Sequence, residues 1–447
     1  MDDPDGPNVP AIFKTLPPIR DSLATETSWM QDETVKECLP LLAGAGAGTR
    51  SLFDYNEHGV PSLEREKHIE YLHERLGPLP EGFVAFDAAR PWLIYWTLTG
   101  LCLLGENVDR VAQTFTPMQN STGGFGGGHG QISHCAPSYA VVLSLAMVGG
   151  HDHFDIIDRR ALWKWLGELK QSDGGFRVCT GGEEDVRGAY CSMTMISLLG
   201  LPLELPPEAP ARAHGLTSFL SGLPEYLSRC QTFEGGISGA PQTEAHGAYA
   251  FCALSCLSML GSPQEMIPKY IDLPMLISWL SARQHAPEGG FAGRTNKLID
   301  GCYSHWVGGC WPLIEAAING PKHAEEPNSG SLFSREGLVR YILACCQQDT
   351  GGLRDKPSKY PDAYHTCYVL AGLSSAQHYS YYSNAPPMEG LAVLQWRSSQ
   401  EIRKRNGQLQ RAVFEADDRL VPIHPIYVIP YAAAKAFQDW FASKIRF

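Results

Sequence analysis

The sequence predicts an all-α fold, an α-α barrel (toroid) of about six helix pairs, from two repeated features. A turn phrase with two consecutive glycines occurs five times, as QNSTGGF (119–125), QSDGGF (171–176), QTFEGGI (231–237), QHAPEGGF (284–291) and QQDTGGL (347–353). After each phrase an apolar segment begins, with a tyrosine near its start. Paired glycines allow the backbone conformations that end a helix, and segments that are apolar on nearly all sides are typical of buried helices.

Six apolar segments are predicted to form the inner ring of the barrel. PWLIYWTLTGLCLLG fits the pattern without a glycine turn of its own, and together the segments contain Tyr95, Tyr139, Tyr190, Tyr249, Tyr303 and Tyr364. The stretches before the turns, such as RRALWKWLGELKQ (159–171), carry charge at helical spacing and predict an amphipathic outer ring. Helix pairs of about 50 residues bury their apolar faces only by stacking side by side, so six pairs can close into a barrel.

The two ends of the chain lie outside this repeat. Residues 1–75 are predicted to form an N-terminal extension and a lead-in helix, and residues 76–447 are predicted to form the barrel. We expect the last stretch, HPIYVIPYAAAKAFQDWFASK, to help close the ring.

The composition excludes several classes of protein. The 447 residues carry a formal net charge of −12, which argues against nucleic acid or an anionic membrane as main partner because such partners need a clustered basic face. The N-terminus MDDPDGPNVP lacks an apolar signal region, and no apolar run reaches the roughly 18 residues of a membrane span. Thirteen scattered cysteines without a C-x-x-C pair predict buried thiols instead of a disulfide scaffold. A soluble cytoplasmic protein is expected.

Differences between the repeats locate the predicted functional end of the barrel. Residues at one offset from equivalent tyrosines gather at the same end, and three positions before the tyrosine the sequence has Trp92, Ala136, Arg187, His246, Asp300 and Pro361. Charged and imidazole side chains at helix starts inside a concave ring cost free energy unless they are paired or bind a ligand. This end is therefore predicted to hold a pocket.

Asp300, Cys302 and His365 are the candidate metal ligands at this end. When the six segments are aligned on their tyrosines, two of the three lie at positions that small residues fill in most of the other segments. Three protein ligands with an open fourth position are typical of a catalytic zinc site. The alternative is a common D-x-C tripeptide and a core histidine without a metal, and the alignment of the repeats favours the metal.

Basic side chains beside this site predict an anionic ligand. The candidates are Arg294, Lys297, His246, Tyr303, Lys356 and Lys359. In an acidic protein, cations that converge beside a metal indicate a polyanion, most simply a diphosphate. Scattered charges on a solvated loop are the alternative, above all for Lys356 and Lys359.

Aromatic side chains near the same helix starts predict an apolar part of the ligand. They are Trp92, Tyr95, Trp96, Tyr139, Tyr190, Tyr249, Trp306 and Tyr364. Aromatic faces stabilise positive charge, so a ring of them suits an apolar ligand that develops carbocation character. Ordinary core packing explains any single one of them, and only their shared level favours a pocket.

Together these motifs resemble the β subunits of protein prenyltransferases, most closely those of farnesyltransferases. The resemblance runs through REKHIEYL (65–72), DAARPWLIYW (87–96), FGGGHGQISHCAPSYA (125–140), DVRGAYC (185–191), GGFAGRTNKLIDGCYSHW (289–306) and DKPSKYPDAYHTCY (355–368). It implies a heterodimer with a helical-repeat α subunit. It also implies transfer of a farnesyl group from farnesyl diphosphate to the cysteine thiol of proteins that end in a CaaX sequence, such as small GTPases.

The resemblance implies a role for each candidate residue. Asp300, Cys302 and His365 would bind one Zn²⁺ per β subunit, and Asp355 would recruit Mg²⁺ to the diphosphate. The diphosphate would be held by His246, Arg294, Lys297 and Tyr303. The isoprenoid channel would be lined by Trp92, Tyr190, Tyr249, Cys252 and Trp306. The peptide would contact Trp96, His134, Ala136, Pro137, Arg187 and Tyr364. The family takes one further lysine from the α subunit, so the β chain alone is expected to be inactive.

Three alternatives stay open. The β subunit of geranylgeranyltransferase type I has a small residue in place of Trp92, while Tyr368 and Asp355 also favour the farnesyl enzyme. A squalene-type cyclase shares the barrel, but the sequence has no D-x-D-D motif. A binding scaffold without chemistry would need a broken metal triad. The chain departs from the family pattern at His305, where an aromatic residue is expected, and at Ala89, where a small polar residue is usual.

Overall fold

The computed structural model describes residues 8–17, 22–44, 53–108, 112–323, 330–383, 395–403 and 408–444. Its α-helices are α1 (Glu26–Leu42), α2 (Arg65–Arg75), α3 (Arg90–Leu104), α4 (Cys135–Val148), α5 (His151–Phe154), α6 (Arg159–Leu169), α7 (Val186–Leu198), α8 (Leu223–Arg229), α9 (Gly247–Leu260), α10 (Pro263–Tyr270), α11 (Leu273–Ser281), α12 (Tyr303–Trp306), α13 (Cys310–Asn319), α14 (Arg335–Tyr341), α15 (Ala363–Gln377) and α16 (Tyr431–Ala442). A π-helical turn, Ile342–Cys346, continues α14. Strands β1 (Tyr379–Tyr382) and β2 (Trp396–Ser399) form one antiparallel pair, with Tyr379 opposite Ser399.

The predicted inner ring is confirmed. Helices α3, α4, α7, α9, α12 and α15 contact one another in this order, and α15 contacts α3, so the ring is closed. These helices have no face toward solvent, and nearly every residue of α4 and α9 is buried. The six tyrosines lie in the first two turns of these helices, because each helix begins within a few residues of its tyrosine.

The outer ring contains α2, α6, α8, α11 and α14. Helix α6 shows the predicted amphipathic pattern, since its buried residues Leu162, Trp165, Leu166 and Leu169 recur at helical spacing. Between α3 and α4 the outer element consists of two short 3-10 turns, Ala112–Thr114 and Thr116–Met118, instead of an α-helix. Pro117 removes a backbone donor there, and the β-branched Thr114 and Thr116 precede it, so helix propensity is low.

The glycine turns do more than end the outer helices. In each phrase the first glycine has a positive φ, at Gly123 (103°), Gly174 (103°), Gly235 (95°), Gly289 (81°) and Gly351 (95°). A Cβ atom there would overlap a backbone carbonyl of the next outer element, at Ala161, Gly222, Met275, Gly337 and Lys67 respectively. Glycine is therefore required by both conformation and close packing, and the contact of Gly351 with α2 closes the outer ring.

A polar side chain four or five positions before each first glycine ties the turn to the next outer helix. The Oε1 atoms of Gln119, Gln231, Gln284 and Gln347 accept the backbone N–H groups of Asp158, Asp272, Ser334 and Glu64 at 2.7–2.9 Å. These donor residues are the N-caps of α6, α11, α14 and α2. Lys170 takes this place in the second turn, and its Nζ donates to the carbonyls of Gly174 and Phe219 at 2.7 and 2.9 Å.

The C-terminal stretch does not close the ring, contrary to our expectation, because α15 and α3 already meet. Residues 420–429 instead cross the end of the barrel where the inner helices finish. The N–H of Val421 donates to the Leu103 carbonyl of α3 at 2.9 Å, and the Ser374 hydroxyl of α15 donates to the Val421 carbonyl at 2.7 Å. Helix α16 packs outside α4 and α7. The barrel is thus covered at one end, and the helix starts face the other end.

Among the described residues, no helix is both long and apolar enough to cross a membrane. The division of the chain at residue 75 stays a prediction.

Candidate active site

Four inner helices begin with polar caps at the uncovered end. His134, Asp185, His246 and Asp362 cap α4, α7, α9 and α15. In both histidines Nδ1 accepts a backbone N–H at 3.1 Å, so the neutral ring carries its proton on Nε2. The cap geometry therefore aims an N–H donor of His134 and of His246 away from its own helix.

The predicted metal ligands come together. Asp300 and Cys302 stand just before α12, His365 lies in the first turn of α15, and their ligand atoms all lie within 4.8 Å of one another. The backbone N–H of Cys302 donates to Asp300 Oδ1 at 2.8 Å, and His365 Nε2 lies 3.3 Å from the same carboxyl atom. One oxygen, one sulfur and one nitrogen donor at this spacing fit a zinc ion with one open position.

The protonation of the triad depends on burial and on its own charges. Burial, followed by the Asp300 charge, raises the pKa of the Cys302 thiol well above its usual range. Burial alone lowers the pKa of His365, but its contacts with Asp300 and Asp362 raise that pKa to about 10. Before a metal binds, the triad therefore consists of a thiol, an imidazolium and a carboxylate.

Asp362 is the partner of the triad that the sequence analysis missed. Its Oδ2 lies 2.7 Å from His365 Nδ1, while its Oδ1 accepts the His365 backbone N–H at 2.7 Å. This carboxylate holds the ring so that Nε2 faces Asp300. The signal was present, because Asp362 is the one acid in the column two positions before the six tyrosines.

We expect Asp362→Asn to weaken zinc binding without destabilising α15. Asparagine caps helices as well as aspartate does, but it removes the charge that orients His365. Loss of a carboxylate behind a metal-binding histidine typically costs about 10–100-fold in metal affinity. Competition with a chromophoric chelator measures the zinc affinity, and thermal unfolding measures whether the substitution destabilises the protein through the cap of α15. Equal zinc affinity in variant and wild type would contradict the role of Asp362.

A cavity of about 390 Å³ has two of the four candidate diphosphate ligands, His246 and Arg294, in its wall. Its wall consists of Glu183, Glu184, Asp185, Gly239, Ala240, Thr243, Glu244, His246, Tyr249 and Arg294. His246 Nε2 lies 3.1 Å from the Tyr303 hydroxyl, which connects the cavity to the metal-site loop. Burial, followed by the Arg294 charge, lowers the pKa of His246 to about 4, so His246 is a neutral donor at physiological pH.

Two candidate groups already have partners of opposite charge. Arg294 pairs with Glu244 at 2.7 Å. Asp355 receives Lys356 Nζ on both carboxyl oxygens at 2.6 Å, and Lys356 is buried. The Asp355 carbonyl also accepts the N–H of Gly301 at 2.9 Å, so this segment lies against the metal-site loop. Lys297 is exposed at the rim. Sequence reasoning did not find these pairs, because neither spacing nor residue type specifies them.

The candidate peptide contact Arg187 lies in the first turn of α7. Its guanidinium pairs with Asp185, lies 3.7 Å from Glu183, and stands over the Tyr249 ring at 5.7 Å. His134 and Ala136 are half-buried at the start of α4, and Pro137 is buried behind them. Cys252 is buried in α9 near the Arg187 charge.

Six of the eight predicted aromatic residues, together with Phe251, form a closed circuit around the inner ring. Ring-centroid distances join Trp92 to Trp96 (5.6 Å), Trp96 to Tyr364 (5.3 Å), Trp306 to Phe251 (5.8 Å), Phe251 to Tyr190 (5.8 Å), Tyr190 to Tyr139 (5.4 Å) and Tyr139 to Trp92 (5.7 Å). A hydrogen bond of 3.1 Å from Trp306 Nε1 to the Tyr364 hydroxyl closes the circuit. Phe251 was not among the predicted residues.

The aromatic residues occupy two levels. Trp92, Trp96, Tyr249, Trp306 and Tyr364 are half-buried, whereas Tyr95, Tyr139, Tyr190, Phe251 and Tyr368 are buried. The half-buried level faces the open end, and the buried level lies beneath it. We refer to Tyr95, Tyr139 and Tyr190 as the floor tyrosines.

His305 lies in the buried aromatic layer. Its ring stacks on Tyr368 at 5.5 Å and meets Phe251 edge-on at 4.6 Å. Within the described part of the chain, neither ring nitrogen has a hydrogen-bond partner. Burial lowers the pKa of His305 to about 3, so the ring is neutral. Its described contacts are with aromatic rings and not with polar groups.

Stability should fall in mild acid because buried histidines stay neutral in the folded state. The pKa of His305 is lowered from 6.5 to about 3, and burial lowers that of His68 to about 4. Below pH 6.5 the unfolded chain binds protons that the folded chain excludes, so each histidine costs about 1.4 kcal/mol per pH unit until its folded pKa is reached. Urea unfolding of wild type and His305→Phe between pH 7 and pH 5 measures this slope. An unchanged slope in the variant would contradict the assignment.

Comparison with known proteins matches this geometry. The prenyltransferase alpha-alpha toroid domain profile matches residues 63–429. The chain belongs to the family of protein prenyltransferase β subunits. The protein farnesyltransferase subunit beta of Pyricularia oryzae is 55% identical over 98% of this chain and 84% of its own length, and that of Schizosaccharomyces pombe is 36% identical over 94% and 98%.

A solved prenyltransferase has the same fold. The Candida albicans protein geranylgeranyltransferase-I complexed with GGPP superposes with a TM-score of 0.61 at 21% identity, over 85% of this chain and 99% of that chain. The prenyltransferase β subunit described here is thus an enzyme subunit whose toroid carries the candidate site at the end where its inner helices begin.

Proposed function

We propose that this prenyltransferase β subunit catalyses zinc-dependent transfer of a farnesyl group from farnesyl diphosphate to the cysteine thiol of proteins with a C-terminal CaaX sequence. The observation that carries the proposal is the convergence of Asp300, Cys302 and His365 within 4.8 Å beside the His246–Tyr303 pair. The names of the fungal relatives support farnesyl as the transferred group. The proposed setting is the cytoplasm.

The proposed metal is zinc, bound by Asp300, Cys302 and His365, with the substrate cysteine at the open position. When bound, Zn²⁺ lowers the pKa of a cysteine thiol so that thiolate is present at neutral pH. The Cys302 side chain is buried, and Asp362 contacts the ring nitrogen of His365 that faces away from Asp300. The carbon–sulfur bond forms at C1 of the prenyl chain as its bond to the diphosphate breaks.

The diphosphate leaves toward the cavity that His246 and Arg294 line. His246 offers its Nε2 proton, Tyr303 its hydroxyl, and Arg294 and Lys297 their positive charges to the phosphate oxygens. Arg294, which pairs with Glu244 here, would bind the diphosphate, and Asp355 would hold Mg²⁺ in place of Lys356. An α subunit completes the diphosphate site in the proposed heterodimer.

The organic parts of both substrates fit the aromatic levels. Trp92, Tyr190, Tyr249, Cys252 and Trp306 are proposed to line the isoprenoid channel. The peptide is proposed to contact Trp96, His134, Ala136, Pro137, Arg187 and Tyr364. The Arg187 guanidinium suits a C-terminal carboxylate, once the peptide competes with Asp185 for it.

The direct test is an assay of the chain co-expressed with the α subunit of the same organism. A peptide that ends in CaaX is incubated with farnesyl or geranylgeranyl diphosphate, and the alkylated peptide is measured by mass spectrometry. We expect farnesyl transfer that a zinc chelator abolishes. Transfer from neither donor would reject the proposal, and preference for geranylgeranyl diphosphate would reject the farnesyl assignment alone. Trp92→Thr should shift the preference toward the longer donor.

A further inference from the structure

The C-terminal segment holds the floor tyrosines from below. The Tyr190 hydroxyl donates to the Ile426 carbonyl at 2.7 Å, and the Tyr95 hydroxyl donates to the Val428 carbonyl at 3.1 Å. The Tyr139 hydroxyl lies 3.1 Å from that of Tyr190 and joins the same network. Side chains of three consecutive inner helices are thereby bound to one short piece of backbone.

This piece of backbone is held in an unusual conformation. Val428 has a φ of 61°, in the left-handed region that a β-branched residue rarely adopts. His424 stabilises the turn, because its Nδ1 accepts the N–H groups of Ile426 and Tyr427 at 3.2 and 3.3 Å and its carbonyl accepts the Val428 N–H at 3.2 Å. All residues from Ile426 to Ile429 are almost completely buried. Strain of this kind persists only where the surroundings over-determine the conformation.

The floor tyrosines support the side chains that bound the proposed isoprenoid channel. The Trp92 ring lies 5.6 Å from the Tyr95 ring and 5.7 Å from the Tyr139 ring. Tyr190 is itself a proposed channel residue and contacts Phe251 at 5.8 Å. A chain longer than the channel would have to push these rings toward the C-terminal segment. The rings cannot recede while their hydroxyls are bound to fixed, buried carbonyls.

We propose that the Ile426–Val428 turn is a positioning element for prenyl chain length, which sets the depth of the isoprenoid channel by fixing the floor tyrosines. The inference rests on the proposed prenyl transfer. It extends chain-length selection from the rings that line the channel to a backbone turn at the far end of the chain. Among the described residues no hydrogen bond joins the turn to the metal site or to the wall of the diphosphate cavity, so its effect is on the choice of donor.

The test compares donor preference in Tyr95→Phe/Tyr190→Phe with that of a matched control. The double variant keeps both rings and removes both bonds to the turn. Tyr427→Phe removes a buried hydroxyl from the same segment, whose bonds go to Ser197 and Gln438 at 2.8 and 2.9 Å instead. All three heterodimers are assayed for kcat/KM with farnesyl and geranylgeranyl diphosphate, and the dissociation constants of both donors are measured by fluorescence.

We expect the preference of kcat/KM for farnesyl over geranylgeranyl diphosphate to fall about tenfold in the double variant, as loss of two buried hydrogen bonds allows. The control should keep the wild-type preference even if its melting temperature falls equally. Equal losses for both donors, or the same shift in the control, would overturn the proposal. Should the double variant not fold, Tyr95→Phe alone, which breaks only the Val428 bond, must shift the preference in the same direction. Absence of transfer from either donor in the wild type would instead reject the proposed function.

Discussion

Cys302→Ala should remove zinc from the purified heterodimer and reduce peptide prenylation by more than about a hundredfold, since even partners behind a metal ligand contribute 10–100-fold. The three candidate ligand atoms lie within 4.8 Å of one another, and the proposed tetrahedral zinc site would lose its affinity if any one of them were removed. Inductively coupled plasma mass spectrometry gives the zinc content, and the peptide assay gives the activity.

Cys367→Ala is the matched control for this substitution. Cys367 lies in α15 two residues after His365 and is as buried as Cys302, but it is outside the triad. The control should retain about one zinc per heterodimer and most of its activity. Retention of zinc by Cys302→Ala, or its loss from Cys367→Ala, would contradict the assigned ligands.

The pKa values of the triad make the same site pH-dependent. The pKa of His365 is about 10 and that of Cys302 is raised above its usual value, so both groups lose a proton when the metal binds at pH 6 to 8. Apparent zinc affinity should therefore rise about a hundredfold per pH unit over this range, with two protons released per ion. Isothermal titration in buffers of different ionisation enthalpy measures the number of protons. Release of no proton would contradict these protonation states.

Gly174→Ala should destabilise the protein by about 3–5 kcal/mol, from strain at positive φ together with steric overlap. Gly174 has a φ of 103°, and a Cβ there would overlap the carbonyl of Gly222 at the start of α8. The outer helix cannot move away without losing its contact with the barrel. Urea unfolding gives the free energy of unfolding.

Gly181→Ala separates the two causes. Gly181 has a φ of 75°, but a Cβ there would meet no atom within 4 Å. Strain alone predicts a cost of about 1–2 kcal/mol for this control. If the two variants had equal free energies of unfolding, the close approach of the turn to the next helix would not contribute to stability, and the prediction would be wrong. Failure of Gly174→Ala to accumulate while Gly181→Ala folds would agree with the prediction.

The repeated parts of the molecule were predictable because each element is specified by its own residues. The glycine turns and the tyrosine-bearing segments predicted the inner ring, and comparison of equivalent positions predicted that Asp300, Cys302 and His365 meet. The missing outer helix before α4 was not foreseen, although Pro117 and its threonine neighbours carry the reason.

The non-repeated contacts were not predictable in the same way. Lys356 on Asp355 and Glu244 on Arg294 depend on how two loops meet, and no periodicity encodes that. Asp362 is recognisable only among the residues two positions before each tyrosine, whereas the predicted site came from residues at other distances from the tyrosines. The C-terminal segment has no counterpart in the repeats, so its place beneath the floor tyrosines required the tertiary structure.

The closure of the outer ring through Gly351 and Lys67 has a consequence for how the chain is made. In an open solenoid each repeat can fold on its neighbour as it leaves the ribosome. Here α2, the first outer helix, can contact the Gly351 turn only after nearly three hundred further residues have been synthesised. The apolar faces of the early helices therefore stay exposed during synthesis, and nascent chains with exposed apolar faces aggregate or bind chaperones. A toroid gains a pocket with a continuous wall, and in return its folding is completed only when nearly the whole chain has been synthesised.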